Sequence, residues 1–123
     1  LENPLEDAET LIINSQGYVT ELGKKPEGYD KIQGQYTGLI KVRADKILDL
    51  LCFYNGLNRD ATYDGQNFDN MYMTSFIQLL IDAGWKVKAA IVNNGWLEVD
   101  SVEDLNAYQS LFESGELDKF IKL

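Results

Sequence analysis

The sequence predicts one α/β domain, a mixed sheet with flanking helices, on three observations. Two β-rich runs flank a turn signal near the N-terminus, several stretches carry helical apolar spacing, and a largely apolar run at residues 85–92 follows one of them. Strands interleaved with helices favour a layered α/β arrangement over a bundle or a sandwich.

Residues 1–9 are acidic, contain Pro4 and read as an incoming linker. Residues 10–14 and 18–22, separated by Ser15-Gln16-Gly17, read as a β-hairpin. Residues 23–30 form a loop rich in Gly, Lys and Pro, and residues 35–42 read as a strand interrupted by Gly38. A glycine inside a strand marks either a bulge or the close approach of a ligand or another backbone. Ile47, Leu50, Leu51 and Tyr54 recur at helical spacing within residues 44–54, and Asn55-Gly56 ends that helix. Residues 58–68 are polar and predict an irregular loop. A second helix is expected over 70–83, with Met73, Phe76, Ile77, Leu80 and Ile81 on one face and Gly84 as its stop. The run at 85–92 has the pattern of a mostly buried strand. Asn93-Asn94-Gly95 turns the chain into a short strand at 96–99. A third helix then turns Val102, Leu105, Tyr108 and Phe112 inward, and a last short helix covers 116–122. The total is five strands and four helices.

The composition, 45% hydrophobic and 11% aromatic, is that of a chain able to build a core. With 11 basic against 20 acidic residues the net charge is -9, which argues against a nucleic-acid backbone or an anionic membrane as partner. Carboxylates of this abundance are compatible with a nucleotide that arrives with Mg²⁺. The chain has no histidine and one cysteine, which excludes an internal disulfide, a Cys/His zinc site and a catalytic histidine. Cys52 sits in an apolar run and is expected to be a buried small hydrophobe. No apolar stretch approaches the ~18 residues of a membrane span, and a cytoplasmic location is expected by default. The chain starts with Leu1, which predicts that it derives from something longer.

Three clusters could carry chemistry. Glu98 and Asp100 lie two apart on an extended segment, so both carboxylates leave one face and could share a hard cation. The same stretch also reads as a helix cap, with Asp100 and Glu103 or Ser101 and Asp104 as its box. Lys24 and Lys25, in a Gly/Pro loop, could grip a phosphate or simply be solvated. Residues 63–74 mix aromatic, amide and carboxylate side chains at a loop-to-helix junction, which suits a small-molecule pocket or a cap at Asp69 or Asn70. There is no nucleophile–base pair, Walker loop or dinucleotide fingerprint.

Three segments in order, Gly-Lys-Lys-Pro at 23–26, Tyr-Thr-Gly-Leu-Ile-Lys-Val at 36–42 and Gly-Trp-Leu-Glu-Val-Asp-Ser-Val-Glu-Asp-Leu at 95–105, resemble the second half of the nucleotidyltransferases with a glycosyltransferase-A-like fold. The similarity runs over residues 8–108 and is closest to the branch containing phosphocholine cytidylyltransferases. It implies the C-terminal part of a nucleotide-diphospho-sugar-transferase-like (Rossmann-like) fold. It further implies transfer of a nucleotidyl group from an NTP to a phosphorylated small-molecule acceptor, a sugar phosphate or a phosphocholine-like compound, with release of pyrophosphate and with Mg²⁺ as cofactor.

By the same resemblance Asp100 is the second metal-binding acid, with Glu98 as the alternate, and Lys25 contacts the substrate phosphate. Tyr36, Gly38, Asp69 and Thr74 fall in segments that line the acceptor pocket. At Lys24 the chain departs from sugar-specific members, which place there a glutamate that binds sugar hydroxyls. The family's glycine-rich nucleotide loop does not occur in these residues, so the chain alone is expected to be catalytically silent. The alternative is an inactive free-standing binding or oligomerisation module of the same fold, a homo-oligomer formed through an exposed sheet edge.

Overall fold

The computed structural model describes residues 8–93, 97, 99–119 and 121. They fall into two compact units, residues 1–89 and 90–123.

The first unit opens with β1 (Leu11–Ile13) and β2 (Val19–Leu22), an antiparallel hairpin with a bulge between Ile12 and Ile13. Asn14 sets the turn: its side-chain oxygen accepts the N–H groups of Gln16 and Tyr18, both at 3.0 Å. Beyond β2 the ladder continues irregularly, since Thr10 N–H donates to the Lys24 carbonyl and Gly23 N–H to the Thr10 carbonyl. The Thr10 hydroxyl accepts the Lys24 N–H at 3.1 Å, which fixes the start of the lysine loop.

Helix α1 spans Ile47–Asn55 after a 3-10 turn at Ala44–Lys46. Its inward stripe is shifted from the predicted one. Phe53 and Tyr54 meet Phe76 and Phe68, with ring centroids 5.4–6.0 Å apart, and Phe53 also meets Trp85. Ile47, Leu48 and Leu51 stay exposed. Cys52 lies on the exposed side as well, which corrects the expectation of a buried thiol: the residue adjoins the aromatic stripe in sequence but points about 100° away from Phe53 around the helix.

Residues 62–67 form a second hairpin where an irregular loop was expected: β3 (Thr62–Tyr63) pairs antiparallel with β4 (Gln66–Asn67). Asp64 and Gly65 both take positive φ, 49° and 82°, as a two-residue hairpin turn matched to strand twist requires. Asn67 then caps a 3-10 turn at Phe68–Asn70 by accepting the Asn70 N–H.

Helix α2 (Met73–Asp82) is the buried helix of the unit. Ile77 packs with Val19 and Leu22 in the core, flanked by Leu11, Ile13, Tyr36, Ile81 and Val87. Gly84, at φ 93°, closes the helix as predicted, with Trp85 N–H on the Leu80 carbonyl and Gly84 N–H on the Ile81 carbonyl.

Two predicted strands are not strands among the described residues. Residues 35–42 are irregular, with Leu39 89% exposed. Of 85–92, only the part around Lys88 pairs, through Val19 N–H to the Val87 carbonyl and Ala89 N–H to the Gly17 carbonyl. The local pattern favours strands, but a strand needs a neighbour, and the described chain offers little of one to either segment. Among the described residues the sheets are therefore two separate small antiparallel hairpins rather than one continuous mixed sheet, and the first of them is extended by isolated bridges from Leu11 to Ile32 and from Tyr18 to Lys88.

In the second unit α3 (Val102–Glu113) begins at Ser101, whose hydroxyl accepts the Asp104 N–H at 3.1 Å, while the Asp104 carboxylate accepts the Asp100 N–H at 3.1 Å. Gly115, at φ 78°, closes it, and Leu117–Lys119 adds a 3-10 turn where a last helix was predicted. Val102, Leu105 and Phe112, expected inward, are exposed. No described helix is long and apolar enough to cross a membrane.

Candidate functional site

The first unit gathers its polar groups where the lysine loop meets α2. Gly23, at φ 81°, approaches the N-terminus of α2 so closely that a Cβ there would lie 2.7 Å from the Thr74 Cβ and 2.8 Å from its hydroxyl. Thr74 is buried by that contact. Two segments 51 positions apart, each predicted to belong to the site, are thus held against each other. Thr74 acts as the wall of the lysine loop.

Between this loop, the β3–β4 hairpin and α2 lies a cleft of about 290 Å³, with Lys24, Tyr63, Asp64, Ser75 and Asp82 among its walls. Lys24 lines it and Lys25 does not; Lys25 is exposed on the same loop. Gln78 supports the cleft from beneath. Its carbonyl accepts the Leu22 N–H at 2.7 Å, and its amide donates to the Thr20 carbonyl at 3.5 Å and to Asp82 Oδ1 at 2.9 Å. That network ties β2 to α2 and holds the Asp82 carboxylate at the rim. The sequence reading overlooked Ser75, Gln78 and Asp82. Their spacing of three and four marks one polar stripe of α2, set beside the apolar stripe that betrayed the helix.

The other predicted acceptor residues are spread out. Tyr36 is half-buried against the core of the hairpin and α2. Asp69 is exposed in the 3-10 turn before α2. Gly38, at φ 86°, has open space where a Cβ would stand, so its conformation and not a close approach calls for glycine.

Burial of Tyr36 raises its phenol pKa above the ordinary value, because the phenolate loses solvation. The neutral phenol is then the form the fold prefers. This stabilisation is fully present below about pH 10 and is lost as pH rises through the higher folded pKa. Tyr36→Phe is expected to remove a late phase from a spectrophotometric tyrosine titration and to flatten the alkaline loss of stability. An unchanged titration would show that Tyr36 ionises like a solvated phenol.

On the second unit, Asp100 is exposed at the entrance to α3, beside a shallow apolar surface formed by Val99, Val102 and Leu105. The cap at this helix uses the Ser101 and Asp104 pair, with the Ser101 hydroxyl taking the Asp104 N–H and the Asp104 carboxylate reaching back past the cap residue to the N–H of Asp100. It employs only the backbone N–H of Asp100 and leaves its carboxylate uncommitted among the described residues. Glu98 lies outside the described residues. No group of three His, Cys, Asp or Glu converges among the described residues. One free carboxylate at a helix entrance suits Mg²⁺, which takes one or two carboxylates and completes its shell with water and substrate phosphates. As part of such a donor set, Asp100 fits.

No protein-family model matches the chain, and no solved structure matches it significantly. Among curated proteins it is 48% identical over 103 residues to the CTP:phosphoglutamine cytidylyltransferase of Campylobacter jejuni subsp. jejuni serotype O:2. The match takes in 84% of this chain and 40% of that protein's length.

Proposed function

We infer that this chain, of cytidylyltransferase type by its kinship with that enzyme, is the acceptor-side, C-terminal portion of a nucleotidyltransferase with a Rossmann-like nucleotide-diphospho-sugar-transferase fold. The reaction is transfer of a cytidylyl group from CTP to a phosphorylated acceptor of the phosphoglutamine kind. The single observation that supports it is the 48% identity across 84% of the chain.

In this reading an oxygen of the acceptor phosphate attacks the α-phosphorus of CTP. A new phosphorus–oxygen bond forms, the bond from the α-phosphorus to the bridging oxygen breaks, and pyrophosphate leaves with that electron pair. Such transfers depend on positioning and on neutralising charge. Asp100, with Glu98 as the alternate, would hold Mg²⁺, whose bound charge lowers the cost of bringing phosphates together. Lys25 stands exposed on the loop packed against Thr74 and contacts the acceptor phosphate. Thr74 and Gly23 hold that loop in place, and Tyr36 and Asp69 shape the acceptor side.

Several apolar side chains support the view that the chain works as part of a larger enzyme. In the first unit Leu39, Ile40, Ile47, Leu48 and Leu51 are exposed, and in the second Ile91, Val92 and Phe112. Apolar surface on this scale marks an interaction surface. The remainder of a protein of the relative's length is the natural cover for it. An oligomer of the short chain is the competing cover, and it would make the chain a binding or assembly module without catalysis.

The test is to express the chain with its flanking coding sequence and assay pyrophosphate release from CTP, phosphoglutamine and Mg²⁺. Release that depends on all three is expected, with a cytidylylated product seen by mass spectrometry. A stable oligomer of the short chain, together with no transfer from the longer product under any acceptor, would favour the assembly module.

A further inference from the structure

The cleft beside α2 carries charges of opposite sign on different walls. Lys24 projects from the loop after β2, and its only ion-pair partner among the described residues is Glu21, at a loose 3.8 Å. Asp64 sits at the tip of the β3–β4 turn, and Asp82 on the last turn of α2. Asp82 accepts one hydrogen bond, from Gln78 on Oδ1, which leaves Oδ2 open among the described residues. Ser75, 4% exposed, also lines the cleft, and its hydroxyl has no hydrogen-bond partner among the described residues. A buried hydroxyl left unpaired is costly, so an orphan beside a polar cleft marks a position where a bound group completes the bonding.

We propose that this cleft binds the zwitterionic head of an α-amino acid, with Lys24 on the carboxylate, Asp82 and Asp64 on the ammonium, and the Ser75 hydroxyl as a further hydrogen-bond donor. A sugar offers hydroxyls and no such pair of charges; a choline head offers a cation and no carboxylate. The cleft, at about 290 Å³, has room for a glutamine-sized molecule. As an assignment of the acceptor's recognition group this rests on the reading above, but the cleft's chemistry can be tested without turnover.

The experiment is a titration of the full chain with L-glutamine, followed in amide proton–nitrogen spectra, alongside glutaramate, which lacks the ammonium, and 4-aminobutanamide, which lacks the carboxylate. L-Glutamine is expected to shift resonances of residues 23–25, 62–65 and 75–82, and the two analogues to bind at least about tenfold more weakly, the loss of one charge-assisted contact. Lys24→Met and Asp82→Asn, both exposed positions, should weaken L-glutamine by a similar factor. Absence of shifts in these residues, or equal binding of all three compounds, overturns the proposal. Shifts by L-glutamine combined with no cytidylyl transfer from the longer enzyme would keep the amino-acid site and sink the cytidylyltransferase reading; transfer without dependence on Lys24 would do the reverse.

Discussion

On the proposed function, with Asp100 holding Mg²⁺, Asp100→Asn in the longer protein is expected to lower cytidylyl transfer by roughly a hundred- to a thousandfold, the range seen when a preorganised charge-stabilising group is removed. The substitution keeps the shape of the side chain and removes its charge. It should leave the fold intact, because only the Asp100 N–H takes part in the α3 cap, donating to Asp104, while Ser101 supplies the other bond. The contrasting variant is Ser101→Ala, which deletes the cap hydroxyl, costs about 1 kcal/mol of stability and spares the chemistry. Pyrophosphate release measured against Mg²⁺ concentration, next to thermal melts of both variants, separates the two roles. If Asp100→Asn retained activity within a few-fold while Ser101→Ala lost it, the carboxylate would be only a neighbour of the cap. Glu98→Gln belongs in the same series: a collapse there, with Asp100→Asn active, would move the metal ligand two residues upstream.

What could be read from the sequence follows how local each feature is. The β1–β2 hairpin, α2 and the glycine stop at Gly84 were legible because each is decided within a few residues by turn chemistry, apolar spacing and a left-handed cap. The β3–β4 hairpin carries an equally local signal in Asp64-Gly65, but its strands are two residues long and lack alternation, so the pattern around that turn favours an irregular loop. Residues 35–42 and 85–92 failed for the opposite reason. Their composition favours strand, yet strand pairing depends on distant chain, and among the described residues it forms where Val87 to Ala89 meet Gly17 to Val19. Cys52 and the stripe of α1 failed because Leu50, Leu51, Cys52 and Phe53 are all apolar, so periodicity could not tell which side packs. At the site, the lysine loop and the start of α2 were both marked in advance, but which lysine lines the cleft was not. Adjacent loop residues point different ways, so nothing local to Lys24 and Lys25 decides which of them faces the cleft.

That glycine carries the other large expected effect. Gly23→Ala should destabilise the chain by roughly 2–5 kcal/mol, the sum of a left-handed conformation forced on alanine and a methyl group driven into a packed wall. Both parts have their cause on one residue: φ is +81°, and the new Cβ would stand 2.7 Å from the Thr74 Cβ. Gly17→Ala separates them, because Gly17 has φ +86° with nothing within 4 Å and so exposes the conformational part alone, about 1–2 kcal/mol. The steric part should be recoverable. Thr74→Gly removes the opposing Cβ and hydroxyl, so the double variant is expected to be more stable than the sum of the single effects by roughly 1–3 kcal/mol, a coupling that only touching residues show. Denaturant melts of the four proteins give that number directly. Simple additivity would mean that the loop relaxes away from α2 when crowded, and that its contact with Thr74 does not hold the lysines. With coupling present, the same contact also predicts a functional loss. A loop pushed off α2 carries Lys24 out of the cleft, so a folded Gly23→Ala protein should bind L-glutamine as weakly as Lys24→Met.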